Sequence, residues 1–194
     1  MKIIEEPRYG PMFRFSDADV YWTLHLLSDG RRIGRKRLAE EVGIGEGSMR
    51  RIVESLRDRE LINVKQTGIT ITKAGTILLE QIPIRVIDLD VGDSVTGDFT
   101  QSLMVLGVAE KVRNGMQQRD AGIRVGATSC TTIVIREGVV MIPPDWNVDK
   151  EKPHLAKIIR DDLGMTAGDA IIIGGGDTKH LAIEAAVSAA LEII

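Results

Sequence analysis

Residues 31 to 59 gather nine basic side chains, Arg31, Arg32, Arg35, Lys36, Arg37, Arg50, Arg51, Arg57 and Arg59, against Glu40, Glu41, Glu46, Glu54 and Asp58, a local balance of +4. Such a surplus attracts a polyanion, and neutralised phosphates release counterions, so the affinity it confers falls steeply with salt. A second candidate is Ile173-Gly174-Gly175-Gly176-Asp177-Thr178-Lys179-His180. An apolar strand leads there through three glycines into a helix start, and the exposed N–H groups and positive helix end suit a phosphate or carboxylate. The spacing matches neither the phosphate loop nor the dinucleotide fingerprint. Asp177 is equally a helix N-cap whose own carboxylate fills the anion position.

A third candidate runs from Arg124 to Thr132, where Thr128, Ser129, Cys130, Thr131 and Thr132 follow a cation. Arg124, Thr128 and Ser129, with Gly174, Gly175, Gly176, Asp177 and Thr178, are the residues that would hold a small anionic effector. Threonine also favours strands, so the same run reads as ordinary sheet. Catalysis by Ser129 or Cys130 would need a base, and His25, His154 and His180 are the only histidines. Their spacing with Asp145, Asp161 or Asp177 forms no metal motif. No catalytic residue, metal or cofactor is assigned.

The elements that position these groups follow from periodicity. Ser16 with Asp17 and Asp19 starts a helix carrying Val20, Leu24 and Leu27, and Asp29-Gly30 stops it. A second helix spans about Arg35 to Val42 and ends at Gly43. A third starts near Glu46, with Met49, Ile52, Val53 and Leu56 on its apolar stripe and a polar, largely basic outer face. Ile62, Val64, Ile69 and Ile71 then alternate about Gln66-Thr67-Gly68 as a hairpin, and Thr72 caps a closing helix.

After Pro83 the expected order is a strand from Ile84 to Val91, a largely helical stretch from Ser102 to Gln118, and an extended one from Ile123 to Ala127. A hairpin about Arg136-Glu137-Gly138 joins Thr131–Ile135 to Val139–Ile142. A helix from about Pro153 to Leu163, an apolar strand from Ala170 to Ile173 and a long helix from Thr178 complete the chain. The fold class is therefore mixed α+β, a helical module with a hairpin followed by an α/β layered domain.

Composition sets the frame. The 194 residues are 43% hydrophobic and 27% charged, which excludes a disordered or fibrous chain. A formal charge of −3 excludes a wholly basic surface. Residues 1 to 82 hold 14 Lys and Arg against 12 acids, and residues 83 to 194 hold 11 against 16, so two domains divide at Ile82-Pro83. Tyr9, Phe13, Phe15, Tyr21 and Trp22 concentrate in the first and are expected in its core or between domains. Cys130 is the only cysteine, which excludes an intramolecular disulfide, and the start carries no signal-peptide core. A cytoplasmic protein without a membrane partner is expected.

The run Leu38-Ala39-Glu40-Glu41-Val42-Gly43-Ile44, then Gly47-Ser48-Met49-Arg50-Arg51-Ile52-Val53-Glu54-Ser55-Leu56, Leu61-Ile62 and Ile71-Thr72-Lys73-Ala74-Gly75 resembles the winged helix-turn-helix transcription regulators, including the multiple-antibiotic-resistance type. Two residues depart from the pattern: Gly45 where a Ser or Thr cap is frequent, and Glu60 where a helix-ending glycine is common. The resemblance implies double-stranded DNA as partner, with Ser48, Arg50 and Arg51 in the major groove and Arg35, Lys36 and Arg37 on phosphates. Lys65 and Gln66 at the hairpin tip would make a wing contact. Domain order and the stretch Arg119-Asp120-Ala121-Gly122-Ile123-Arg124-Val125-Gly126-Ala127-Thr128-Ser129 resemble an archaeal family of regulators whose second domain has no established function. A homodimer is implied, with the second domain dimerising, sensing a small molecule, or both. Two other readings stand beside this one: an enzyme with its site in the second domain, and a protein-docking subunit that never touches DNA.

Overall fold

The computed structural model describes residues 1–4, 14–92 and 95–194, and Tyr9 and Phe13 lie outside them. The chain divides into two compact units, Lys2–Ile82 and Pro83–Ile194, with Met1 counted in the latter.

In the first unit helix α1 (Asp17–Leu27) opens on a capping box: Ser16 Oγ accepts from Asp19 N–H at 3.3 Å, and Ser16 N–H donates to Asp19 Oδ2 at 2.9 Å. Val20, Leu24 and Leu27 are buried as expected, and of the expected aromatics Tyr21 and Trp22 are buried with them while Phe15 is half-buried. Helix α2 (Arg35–Val42) ends on Gly43, whose φ of 88° lets its N–H reach Ala39 O at 2.9 Å. Helix α3 (Glu46–Asp58) buries Met49, Ile52, Val53 and Leu56.

Strands β1 (Ile62–Lys65) and β2 (Gly68–Ile71) pair antiparallel from Ile62↔Ile71 to Lys65↔Gly68, and Ile33 adds a bridge to Ile69. Thr72 caps helix α4 (Lys73–Gln81) by accepting from Gly75 N–H at 3.0 Å. The expected helices, hairpin and Thr72 cap of this unit are all present.

The second unit is a six-stranded antiparallel sheet in the order β3-β4-β8-β5-β6-β7. Its strands are β3 (Ile84–Ile87), β4 (Phe99–Val105), β5 (Ser129–Arg136), β6 (Val139–Ile142), β7 (Trp146–Asn147) and β8 (Ala170–Gly176). The helices are α5 (Met116–Arg124), α6 (Val148–Glu151), α7 (Pro153–Lys157) and α8 (Lys179–Ile193). Central β8 is buried along its whole length, as its Ile171-Ile172-Ile173 run requires of a strand covered on both faces.

One face packs on α5 and α8, where Gly174 meets Ala182 and Gly122 meets Cys130. The other carries Met104, Ile133, Ile171 and Ile173 against Val148, Leu155 and Ile159. The result is a sheet between two helical layers, and the class is mixed α+β as expected.

Several local expectations are corrected. Ser102–Val105, read as helix, lies in β4 between β3 and β8, and within the stretch as far as Gln118 the helical residues are a short 3-10 turn at Ala109–Lys111 and the start of α5. An apolar run of that length satisfies either period, and pairing on both sides decided it. Ile123–Ala127, read as extended, ends α5 and turns through Gly126 at φ 90°, with Gly126 N–H on Ile123 O at 3.0 Å. The strand expected from Ile84 to Val91 stops at Ile87. The helix expected over Pro153 to Leu163 passes after Lys157 into a π turn, Ile158–Asp162.

The hairpin about Arg136-Glu137-Gly138 is present, with Glu137 at φ 51° and Gly138 at φ 80°, the twist a two-residue turn between strands prefers. Among the described residues no helix is long and apolar enough to cross a membrane.

Candidate nucleic-acid interface

Arg35, Lys36 and Arg37 fill the first turn of α2, an exposed turn that holds no acid of its own and has Gly34 as an N-cap lacking any side chain. Cations at the positive end of a helix each cost about 0.3–1 kcal/mol, so this arrangement is locally unfavourable unless an anion joins it. Helix α3 also starts on an uncapped glycine, Gly45. Helices α1, α4 and α8 instead carry hydroxyl caps, Ser16, Thr72 and Thr178.

The predicted contact residues separate once their partners are known. Arg37 Nε donates to Glu41 Oε1 at 2.7 Å, one turn along the same helix. Arg50 and Arg51 are exposed on α3, and they, Arg35, Lys36 and Lys65 make no ion pair among the described residues. Ser48 is half-buried, and its Oγ donates to Arg14 O at 3.1 Å. Lys65 and Gln66 are exposed at the hairpin tip, which Arg32 steadies by donating from Nη1 to Thr67 Oγ1 at 2.6 Å. Arg14 is the group the sequence reading left out, whereas Arg32 stood in the basic surplus with no contact assigned to it. Arg14 lies 34 positions from its partner, too far for any local pattern to place it.

In the second unit Thr128 and Asp177 do come together, with Thr128 Oγ1 donating to Asp177 Oδ1 at 2.9 Å. Arg124 does not join them. Its Nη1 donates to Glu192 Oε1 at 2.7 Å, near the end of α8 remote from Thr178 and so about 20 Å along the helix axis. Ser129 Oγ donates to Thr96 O.

The glycines were read as a loop before a helix, but Gly174, Gly175 and Gly176 are strand residues paired with Gln101, Thr100 and Phe99 on β4. They are bare because the protein fills the space of their side chains. A Cβ at Gly174 would stand 2.2 Å from Ala182 O, and one at Gly175 would stand 2.2 Å from Thr96 O. The cap of α8 is Thr178, which accepts from Leu181 N–H at 3.2 Å, and not Asp177. Cys130 is buried, and burial pushes its thiol up to about 12, so it is a protonated packing residue at neutral pH.

Residues 96–193, from the loop before β4 to the end of α8, match the model of a domain of unknown function, DUF4443. The chain belongs to the DUF4443 family. In this family member residues 19–85, from the first turn of α1 into β3, match the model of the CggR N-terminal DNA binding domain. A solved structure, hypothetical protein PH0730 from Pyrococcus horikoshii OT3, is similar over 93% of this chain and 93% of its own, with a TM-score of 0.73 and 22% sequence identity. That likeness is one of fold. No curated protein matches the chain.

Proposed function

We propose that this DUF4443 protein is a transcription regulator that binds duplex DNA through its first unit as a winged helix-turn-helix. The observation that carries the reading is that two helices of the first unit, α2 and α3, start on uncapped glycines and bear Arg35, Lys36, Arg50 and Arg51 exposed and without a carboxylate partner among the described residues. The match of residues 19–85 to a DNA binding domain supports it.

In this reading α3 enters the major groove, where Arg50 and Arg51 donate to base edges. Ser48 spends its proton on Arg14 O and so meets a base only as an acceptor. Arg35 and Lys36 take phosphates. Arg37 does so at the cost of its bond to Glu41, which makes it the weaker contributor. Lys65 and Gln66 touch the backbone or minor groove beside the main contact. The second unit serves dimerisation, effector sensing or both, and a dimer would span paired half-sites. Of the effector set, Thr128, Ser129, Gly175 and Asp177 lie together: Thr128 N–H donates to Gly175 O at 2.9 Å, Ser129 is paired with Gly175 across β5 and β8, and Thr128 Oγ1 donates to Asp177 Oδ1.

The test is selection of the full chain against short genomic duplexes across a salt series. Enrichment of one site with a steep salt slope is expected, and Arg50→Ala and Arg51→Ala each lose about 1–3 kcal/mol of specific binding. If the double variant protects DNA as the parent does, α3 is not the reading helix.

A further inference from the structure

Resting on the DNA-binding reading, we infer that Arg14 is an additional phosphate contact, presented beside the amino end of α3 by the hydroxyl of Ser48. Ser48 is the third residue of α3, and its Oγ donates to the carbonyl of Arg14 at 3.1 Å, fixing the backbone of residue 14 against the first turn of that helix. On the following side the chain is held as well. Phe15 is half-buried, and Ser16 closes the capping box of α1 with Asp19.

The peptide around Arg14 is thus ordered by two neighbouring helices while its own residue stays exposed. No ion pair to Arg14 occurs among the described residues, in contrast to Arg57, which Asp58 holds at 2.9 Å, and Arg31, which Asp29 holds at 2.8 Å.

An exposed guanidinium on an already ordered backbone binds an anion with little further loss of chain entropy. Its planar fork of donors fits phosphate oxygens in a bidentate arrangement. A helix seated in the major groove has the phosphates of the flanking strand close to its amino end, where Arg14 is placed. The Ser48 hydroxyl then acts through another residue and is a positioning group. Its likeness to a base-reading serine in the sequence is secondary to this bond.

The experiment is fluorescence anisotropy of the full chain on the selected duplex, from 50 to 200 mM salt, for the parent, Arg14→Ala, Arg14→Lys and Ser48→Ala. An exposed arginine of the second unit, Arg113→Ala, is the control. Loss of one phosphate contact makes the slope of log affinity against log salt shallower by about 0.9, so the gap between parent and Arg14→Ala narrows by about threefold across that range. Arg14→Lys keeps the parental slope because it keeps the charge, and Ser48→Ala moves part of the way toward Arg14→Ala.

A parent that binds with a steep slope, together with an Arg14→Ala variant whose slope is unchanged, overturns the assignment of Arg14 and leaves the DNA reading intact. A parent that retains no duplex at low salt overturns both. Thermal melts of the parent and the two Arg14 variants should coincide, since Arg14 is exposed.

Discussion

Gly75 packs so closely on Leu61 that a Cβ added to it would stand 2.2 Å from the Leu61 carbonyl oxygen and 2.8 Å from Ile71 Cγ1. The same carbonyl accepts from Thr72 N–H at 3.0 Å, so the start of α4 is seated on the connection between α3 and β1 through backbone that cannot give way. In a free helix Gly→Ala gains about 1 kcal/mol. Here overpacking outweighs that gain, and Gly75→Ala is expected to lower the unfolding free energy of the first unit by about 1–3 kcal/mol. Denaturant melts followed by Trp22 fluorescence check this, and a variant as stable as the parent refutes it.

Glu60 stands where the resembled regulators commonly have glycine, and the structure gives the reason for that preference. Its φ is 60°, and its carbonyl accepts from Thr72 Oγ1 at 2.7 Å. A residue with a Cβ pays about 1–2 kcal/mol in the left-handed region. Glu60→Gly removes that strain at the cost of a more flexible unfolded chain, for a net gain of up to about 1 kcal/mol. A rise in melting temperature of a few degrees is the expected reading, and a fall would mean that the side chain has an unrecognised role.

His25 makes stability depend on pH in a known direction. Its ring lies parallel to Tyr21 at 6.3 Å and tilted to Trp22 at 4.8 Å. Burial holds the imidazole below the usual histidine range, against a smaller opposing pull from the Asp29 carboxylate. The folded state therefore binds this proton less readily than the unfolded state. Stability is fully present above the unfolded value of about 6.5 and is lost as pH falls from there toward the lower folded value. His25→Phe should flatten the melting temperature between pH 7 and 5 relative to the parent. An unchanged pH profile would remove His25 as its source.

Thr132 Oγ1 is buried and has no hydrogen-bond partner among the described residues. A stranded hydroxyl costs about 1–3 kcal/mol, and a methyl of the same shape carries no such cost. Thr132→Val is thus expected to stabilise the second unit by about 1 kcal/mol, read by calorimetry. A destabilised variant would show that the hydroxyl finds a partner in solution.

Much of the first unit was legible because its determinants are local. The stripe Met49, Ile52, Val53 and Leu56, the stop at Gly43, the turn at Gln66-Thr67 and the cap at Thr72 each depend on residues within about one or two turns of one another. The surplus of charge from Arg31 to Arg59 is likewise a property of the chain.

What the chain alone could not decide was which of those charges is already neutralised, and by what. Arg124 reaches Glu192 across 68 positions, and Ser48 reaches Arg14 across 34. Nor could it decide that Ser102–Val105 is strand, since that followed from hydrogen-bonding partners at Ala170–Ile173 and Ile84–Ile87.

The three glycines are the clearest case. Locally glycine reads as a turn, because it loses the most entropy when fixed in a strand. Gly174–Gly176 are nonetheless strand because α8 on one face and Thr96 on the other leave no room for a Cβ, a demand that exists only once the layers have closed. Periodicity, caps and charge density act over a few residues and can be read in order. Steric exclusion and ion pairing act between segments far apart, and only the folded packing decides them.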